Sequence, residues 1–364
     1  MKTRWFLLGL GMLVLALAVW GIGPGWGQQN RKGEQARPNA AEPKAGASTE
    51  VVGSLGQYAL SEAFTHQNLT VFMIYGKDRI KGDDFLTLQE AIKTKAVTVF
   101  ETQDVRSLLI ENHGDKPIYI QSGEIVKGGK QDRTLPYDVI LPVRSGKMPI
   151  QSFCVEQGRW SRRGGESTVN FNSSRNILST KALKLAARGK GDQGEVWKEV
   201  ANAQRKLSGN LKASVNDARS ASSLELSLDS PELKKAVDEY IGKLSAAAEG
   251  KKNAIGFAFA INGQVNSIDV YASNALFRKL WPKLLKASAV EAVAELKKDK
   301  TFPAAKAADV RALIAAMEKQ KAAVSKVSRD TFLLRGENAS AAYFETRDAK
   351  NKGVPVHQSY LKKD

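Results

Sequence analysis

Three short polar motifs between residues 117 and 160 hold side chains that could do chemistry together. They are residues 122–124 (SGE), 128–133 (GGKQDR) and 154–160 (CVEQGRW). Arginine binds anions through two parallel hydrogen bonds, a carboxylate can act as acid or base, and tryptophan offers a flat face to a ring or a sugar. The motifs therefore predict a charged pocket for an anionic or carbohydrate-like ligand. The candidate ligand-binding residues are Glu124, Lys130, Gln131, Arg133, Glu156, Arg159 and Trp160.

Glu124 and Glu156 are the candidate catalytic groups of this set. Strands that end at Ser122 and Glu156 can lie side by side in one antiparallel sheet, so we expect the charged groups of the three motifs to surround one cavity. The alternative is that the same charges form structural salt bridges that fasten loops to the sheet, since such networks need no ligand. The sequence does not decide between a binding protein and an enzyme.

The spacing of the motifs argues against a phosphate-binding loop and a metal site. Gly123 and Gly128 are separated by four residues, but Lys130 is followed by Gln131, where a P-loop has the Ser or Thr that binds magnesium. One cysteine and three scattered histidines lack any recognisable ligand spacing. We therefore expect no metal and no cofactor.

Cys154 lies on the same face of a predicted strand as Glu156, two residues further on. A catalytic thiolate needs a histidine or another cation that lowers its pKa, and the histidines are His66, His113 and His357. A buried cysteine that acts as a small apolar residue is the commoner case. We predict that Cys154 packs beneath the pocket.

The pattern of the chain predicts an α+β fold. The first half has short strands and few helices, which favours an antiparallel sheet or sandwich, and the second half adds helices, a β-hairpin and C-terminal strands. Thr87 and Glu90 have the spacing of a capping box that begins a short helix. Strands of the first half are predicted at 69–75, 97–102, 107–112, 117–122, 134–141 and 148–156.

The second half contains strong local signals. Asp192 marks the start of a helix, and Asn262-Gly263 between two apolar strands is typical of a two-residue hairpin turn. A helix that begins at Asn274 contains Pro282, which we expect to kink or restart it. The chain then ends in three short strands, near Phe332, Tyr343 and Val356.

The first 56 residues differ from the rest. Residues 1–27 have the basic start, apolar run and small residues of a secretory signal peptide, and residues 28–56 are polar enough to predict a disordered linker. Residues 57–364 then form one domain, β-rich over about 57–160 and mixed helical and β over about 161–364. We expect an exported protein, periplasmic or extracellular, with no other membrane contact. The alternative is that the apolar segment stays as an uncleaved membrane anchor.

The chain has 364 residues and a formal charge of +17. Between residues 157 and 190 there are eight Lys and Arg residues and one acid, Glu166. A basic surface of this kind attracts polyanions, but no nucleic-acid-binding motif accompanies it. We interpret the segment as a solvated basic face and expect no specific nucleic-acid partner.

The segments GEIVKGGKQDR (123–133) and CVEQGRW (154–160) resemble the ARG and Rhodanese-Phosphatase-superfamily-associated protein domain family. The similarity continues through 195–197 and 256–285 and covers most of the chain after residue 57. The family name records an association with ADP-ribosylglycohydrolase and rhodanese-phosphatase proteins. It implies an alternative function, a hydrolase that acts on a nucleotide-sugar or phosphate-containing substrate, and it assigns no catalytic residue.

Overall fold

The computed structural model describes residues 49–51, 58–81, 85–318 and 320–363. The predicted α+β class is confirmed, and every strand pair but one within these ranges is antiparallel. The predicted signal peptide at 1–27 and most of the predicted linker at 28–56 lie outside the described residues. Among the described residues, no helix is long and apolar enough to span a bilayer.

The strands before residue 180 are short. In chain order they are β1 (Thr49–Val51), β2 (Ala59–Leu60), β3 (Phe64–His66), β4 (Leu69–Tyr75), β5 (Leu86–Thr87), β6 (Val97–Phe100), β7 (Ser107–Asn112), β8 (Ile118–Ile120), β9 (Glu124–Gly128), β10 (Arg133–Thr134), β11 (Val139–Leu141), β12 (Gly146–Gln151), β13 (Phe153–Cys154) and β14 (Phe171–Ile177). The later strands are β15 (Ala254–Ile261), β16 (Gln264–Tyr271), β17 (Lys321–Lys326), β18 (Thr331–Glu337), β19 (Ala341–Asp348) and β20 (Val354–Lys362).

The longer helices all follow residue 190. In chain order the helices are α1 (Leu88–Lys93), α2 (Lys181–Leu185), α3 (Gln193–Leu211), α4 (Leu224–Leu228), α5 (Pro231–Leu244), α6 (Asn274–Ala294) and α7 (Ala307–Met317). A π-helical turn at Ala186–Lys190 follows α2, and a 3-10 turn at Ser245–Ala248 follows α5.

One large sheet has the strand order β1-β17-β18-β19-β20-β16-β15-β4-β2, with β3 also paired to β4. Strands β15 and β16 form the predicted hairpin, in which Ile261 lies opposite Gln264. The turn residues Asn262 and Gly263 have φ angles of 51° and 76°, the positive values that a type I′ turn requires. Every residue of β15 is buried, so both faces of the sheet are covered at this strand.

Two apolar cores cover the two faces of β15. Phe257 and Phe259 belong to the core that includes α6, and Phe257 lies 5.4 Å from Trp281, measured between ring centroids. Ala258 and Ala260 alternate with them and belong to the core that includes α7. Burying a phenylalanine side chain stabilises a fold by about 1.5–3 kcal/mol, so the alternation fixes the register of this strand.

Three smaller sheets have the orders β13-β10-β9-β14, β11-β8-β5 and β12-β7-β6. The predicted strands at 69–75 and 107–112 are confirmed with the same bounds. The predicted strand at 134–141 is wrong, because β10 and β11 belong to different sheets and Pro136 between them has no N–H to continue a ladder. The predicted strand at 148–156 also divides, into β12 and β13.

The predicted helix starts are confirmed. Thr87 Oγ1 accepts a hydrogen bond from Glu90 N at 3.2 Å, and Thr87 N donates to Glu90 Oε2 at 2.8 Å, which completes the capping box. Asp192 caps α3 by accepting a hydrogen bond from Glu195 N at 2.8 Å. Helix α6 continues through Pro282, so the chain does not restart there; buried side chains on both sides of the proline hold the helix against the core.

The two parts that the sequence suggested, about 57–160 and 161–364, share their sheets. Strand β4 of the first part pairs with β15 of the second, and β9 pairs with β14. The boundary near residue 160 is therefore not a structural division of the described residues. Strand β1 lies in the segment predicted as linker and pairs with β17.

Candidate functional site

Two of the three sequence motifs meet in a buried ion-pair network of Asp132, Glu156, Arg159 and Arg163. Arg163 Nη1 lies 2.8 Å from Asp132 Oδ2 and 3.1 Å from Glu156 Oε1. Arg159 Nη2 lies 2.7 Å from Glu156 Oε2 and 3.7 Å from Asp132 Oδ1. These four side chains are at most 7% exposed, so water screens their charges only weakly.

Tight backbone turns bring the network together. Strand β10 lies between β9 and β13, and the chain turns from β9 into β10 at Gly128 and Gly129, whose φ angles are 120° and 54°. Only glycine adopts such angles without strain, and a side chain at Gly129 would also collide with the ring of Phe171. Gly128 N donates to Asp132 Oδ1 at 3.1 Å, which orients the carboxylate within the turn.

Arg133 is fully buried in β10. Its Nη1 donates to the backbone oxygen of Gln131 at 2.8 Å, and its Nη2 lies 3.5 Å from Glu101 Oε2. Glu101 Oε2 also accepts the backbone N–H of Lys130 at 3.1 Å. Arg133 is therefore a charged group of the core, and its only carboxylate partner among the described residues is a residue that the motifs do not contain.

Gln131 and Cys154 pack together beside the network. Gln131 Nε2 donates to the backbone oxygen of Glu156 at 2.7 Å, and its Oε1 accepts from Cys154 Sγ at 2.9 Å. Cys154 has no exposed surface, and burial raises the pKa of its thiol to about 11, although Arg133 opposes the rise. The thiol is protonated at neutral pH, whereas the thiolate is the nucleophilic form.

Trp160 is the exposed part of the motif cluster, with 47% of its surface accessible. Lys130 Nζ lies 5.1 Å from the centroid of the Trp160 ring, a cation–π contact. Arg159 turns inward and donates to the backbone oxygens of Gly128 and Gly129 at 3.2 and 3.3 Å. Trp160 and Lys130 can touch a ligand from solvent, but the arginine can do so only by leaving its present partners.

Glu124 does not join the network. It lies at the start of β9 and is 2% exposed, and its Oε2 lies 2.6 Å from Nζ of Lys283 on α6. Burial raises the pKa of Glu124, and the ion pair with Lys283 opposes that rise. The two candidate catalytic groups therefore have different partners. Glu124 pairs with a lysine on α6, whereas Glu156 belongs to the ion-pair network.

Four cavities of about 400–590 Å³ lie among the described residues, and none of the four is lined by any of the seven candidate residues. The inward-facing candidates instead contact protein partners, which is the geometry expected of structural salt bridges. Ligand binding by the motif residues stays a prediction. Trp160 and Lys130 are the candidates that a ligand can reach from solvent.

The basic segment 157–190 is not entirely a surface feature. Arg163 and Arg188 are 7% and 4% exposed. Arg188 Nη1 donates to Ser359 Oγ at 3.2 Å, and its guanidinium lies 4.3 Å from the ring centroid of Phe344. The interpretation as a solvated face is wrong for these two arginines, because each has buried partners.

One cavity has the lining of a polar binding site. It has a volume of about 470 Å³ and lies among α3, the end of α6, the β15–β16 turn and the end of β20. Sites for small molecules commonly have about 300–1,000 Å³. Its cations are Lys181, Lys206, Lys297, Lys362 and Lys363, and its amides are Asn202, Asn262, Gln264 and Asn266. We name it the lysine-lined cavity.

Two buried acceptors on this lining have no hydrogen-bond partner among the described residues. Glu291 and Asn266 are 2% and 7% exposed. Glu291 Oε1 accepts from Asn266 Nδ2 at 3.0 Å and from Lys181 N at 2.8 Å, which leaves Glu291 Oε2 and Asn266 Oδ1 without hydrogen bonds. Burial raises the pKa of Glu291, and the charge of Lys184 opposes the rise. An unsatisfied buried acceptor costs about 1–3 kcal/mol, so a ligand that donates hydrogen bonds here would offset that cost.

The lysines of this cavity differ in their partners. Lys206 Nζ lies 2.5 Å from Glu295 Oε1, and Lys363 Nζ lies 2.6 Å from Glu337 Oε2. Lys297 and Lys362 form no ion pair with a described residue. The cavity therefore has two cations that an anionic ligand can approach without displacing a carboxylate.

A second buried charged cluster, which the sequence did not predict, is centred on His357 in β20. Its Nδ1 lies 2.8 Å from Asp138 Oδ2 and its Nε2 lies 3.1 Å from Asp269 Oδ1. The ring stacks on Tyr271 with centroids 4.4 Å apart. Burial alone would lower the pKa of His357, but the two carboxylates outweigh burial and raise the pKa to about 9. This cluster ties three distant segments together inside the sheet.

The described residues thus define an α+β domain whose glycine-rich and cysteine-containing motifs surround a buried ion-pair network. The model of the family described as ARG and Rhodanese-Phosphatase-superfamily-associated Protein domain (ARPP-1) matches residues 57–360. The protein belongs to this family, as the resemblance of its motifs implied. Neither the curated proteins nor the solved structures gave a match.

Proposed function

We propose that the protein is an exported binding protein whose lysine-lined cavity takes an anionic, sugar-like ligand. The observation that carries the proposal is the pair of buried acceptors, Glu291 Oε2 and Asn266 Oδ1, beside a cavity rimmed by lysines. Hydroxyl groups donate to acceptors of this kind, and Lys297 and Lys362 can meet a carboxylate or a phosphate. An acidic sugar combines both groups in one small molecule.

The size and the aromatic part of the cavity support the same ligand class. A volume of about 470 Å³ accommodates a single sugar ring with its charged substituent. Phe302, which is 36% exposed and lines the cavity, offers an apolar surface to a ring face. Glu291 Oε2 and Asn266 Oδ1 are shielded in the absence of ligand, so their side chains must rotate toward the cavity when a sugar binds.

The proposal places the ligand in this cavity because most of the charged motif residues already have protein partners, some of them outside the motifs. Arg159 and Arg163 are both paired with carboxylates, and breaking a buried pair is costly. Export is the second part of the proposal. It is supported by the order of basic, apolar and small residues in positions 1–27.

A hydrolase that acts on a nucleotide-sugar or phosphate-containing substrate is the second candidate, and Glu291 favours it. Burial raises the pKa of this carboxyl group, and a carboxyl group with a raised pKa is a candidate general acid. Glu295, four residues further along, lines the same cavity. Substrate turnover that stops in Glu291→Gln while binding persists would favour the enzyme over the binding protein.

Titration calorimetry with D-glucuronate and D-glucose tests the binding function. We expect glucuronate to bind more tightly, because only glucuronate presents a carboxylate to the lysines. Changing Lys297 and Lys362 together to Gln should weaken glucuronate binding by roughly tenfold or more, because losing one charged hydrogen bond costs that much affinity. The same double variant should bind glucose as the unchanged protein does. Asn266→Ala should weaken the binding of both sugars.

Lys198→Gln is the matched control. Its side chain is 61% exposed on α3 and lies 3.4 Å from Glu195, and neither residue lines the cavity. The control should bind glucuronate like the unchanged protein. The proposal is contradicted if neither sugar binds, or if the double lysine variant binds glucuronate as tightly as the control does.

A further inference from the structure

A different cavity contains an arginine with an unoccupied edge. The cavity has a volume of about 520 Å³ and shares no lining residue with the lysine-lined cavity. Arg79, which follows β4, is part of its lining. Arg79 Nη1 donates to Gln358 Oε1 at 3.2 Å, whereas Nε and Nη2 have no acceptor among the described residues and are shielded from solvent. We name it the Arg79 cavity.

Gln358, which accepts the hydrogen bond from Arg79, is itself held by hydrogen bonds within the sheet. Gln358 Nε2 donates to Glu345 Oε2 at 2.8 Å and to the hydroxyl oxygen of Tyr343 at 3.1 Å, so the amide oxygen of Gln358 is presented to the guanidinium. The backbone N–H of Arg79 donates to the oxygen of Ala272 at 2.6 Å. The remaining Nε–Nη2 edge has the two parallel donors that bind a carboxylate bidentately.

The charge of the cavity favours an anion. Arg79 supplies a positive charge and a planar set of N–H donors. Lys81 and Lys352 are exposed and form no ion pair with a described residue. The two acids of the lining have different partners. Asp330 Oδ2 lies 3.2 Å from Lys350 Nζ, an ion pair without a hydrogen bond, and Asp348 accepts hydrogen bonds within the β19–β20 turn. Among the described residues, Arg79, Lys81 and Lys352 thus have no carboxylate partner, and the lining has an excess of positive charge.

The same cavity has a large apolar surface. Half of its lining residues are apolar, among them Ile80, Phe85, Ile140 and Val143. Val143 is 42% exposed, and few large apolar side chains of the described residues are as accessible. An inorganic anion gains nothing from this surface, and a neutral apolar molecule gains nothing from Arg79. A molecule that carries both a carboxylate and an apolar body uses the whole lining.

We propose that the Arg79 cavity binds a small organic carboxylate with a compact apolar body. The carboxylate occupies the Nε–Nη2 edge of Arg79, and the apolar body covers Phe85 and Val143. Because the edge is shielded in the free protein, the side chain of Arg79 turns toward the cavity on binding while its backbone N–H stays bonded to Ala272. This site is independent of the lysine-lined cavity.

Titration of the full chain with phenylacetate tests the proposal, with 2-phenylethanol and inorganic phosphate as comparison ligands. We expect phenylacetate to bind at least tenfold more tightly than either comparison ligand, because it alone has both a carboxylate and an apolar body. Arg79→Gln should weaken phenylacetate binding at least tenfold. Phosphate that binds as tightly as phenylacetate, or 2-phenylethanol that does so, overturns the proposal.

Further variants separate loss of the site from loss of the fold. Val143→Asp changes an exposed residue and places a negative charge beside the ligand, so it should weaken phenylacetate binding even if Arg79→Gln does not fold. Arg311→Gln on α7 is the exposed arginine control and should bind phenylacetate normally. Unchanged phenylacetate affinity in folded Arg79→Gln or in Val143→Asp overturns the proposal.

Discussion

Asp132 and Arg163, 31 positions apart in the sequence, form a two-point ion pair in which Nη1 lies 2.8 Å from Oδ2 and Nη2 donates to Oδ1 at 2.9 Å. Ser223, which caps α4, donates to Asp132 Oδ2 at 3.1 Å. The pair therefore fastens the loop that follows Glu156 to β10 and to the start of a helix. This geometry gives Asp132 a structural partner that needs no ligand.

Arg163→Met should destabilise the protein strongly. Removing one partner of a buried ion pair leaves Asp132 and Glu156 with an uncompensated charge, which costs about 3–5 kcal/mol. The free energy of unfolding in urea measures this effect. Arg162→Met is the control, because Arg162 is exposed and bonds only to a backbone oxygen among the described residues; it should stay within about 0.5 kcal/mol of the unchanged protein. A similarly small loss in Arg163→Met would show that the network does not hold the fold.

Cys154→Ala should cost about 1 kcal/mol of stability and leave sugar binding unchanged, because Cys154 packs in the core and does not line the lysine-lined cavity. Its thiol should react with a disulfide reagent only after unfolding, since burial raises its pKa to about 11. The rate of thiol labelling in buffer and in urea checks this. Rapid labelling of the folded protein would contradict a buried position for the Cys154 thiol.

His357 should make the stability depend on pH in the alkaline range. Its pKa is raised from about 6.5 to about 9 in the folded protein. Its contribution to stability is therefore fully present below about pH 6.5 and is lost as the pH rises through 9. A shift of this size corresponds to stabilisation on the order of 3 kcal/mol.

The unfolding free energy at about pH 6 and about pH 10 measures this contribution. The difference in unfolding free energy between the unchanged protein and His357→Gln should be smaller at the higher pH than at the lower pH. His113→Gln is the control, since the His113 side chain is 44% exposed. If this difference in unfolding free energy stays constant with pH, the buried imidazole of His357 is not charged and the prediction is contradicted.

The exported protein should begin near Gln28, because residues 1–27 have the order of a cleavable signal peptide. Intact-mass analysis of protein recovered from the cell envelope measures the cleavage site. A full-length species that stays in the membrane fraction would instead favour the uncleaved anchor.

Local patterns predicted the elements well because each depends on residues close in sequence. The capping box joins Thr87 to Glu90, three residues away, and the β15–β16 hairpin turns within two residues, Asn262 and Gly263. The division of the predicted strand at 134–141 was missed because alternation alone cannot show that two halves of a run pair with different neighbours.

The sites were predicted less well because their contacts are distant in sequence. Glu124 pairs with Lys283, 159 positions away, and Asn266 meets Glu291 from another element. Nothing in the local pattern marks either pair. The sequence did place Glu156 and Arg159 correctly together, since they are three residues apart and their side chains form an ion pair.

A crystal structure of the protein with D-glucuronate tests the central claim most directly, since it locates the ligand. The account predicts a sugar in the lysine-lined cavity, with a hydroxyl about 2.7–3.2 Å from Glu291 Oε2 or Asn266 Oδ1 and its carboxylate near Lys297 or Lys362. A sugar bound at Trp160, with the lysine-lined cavity empty, would contradict the account and return the binding site to the motifs.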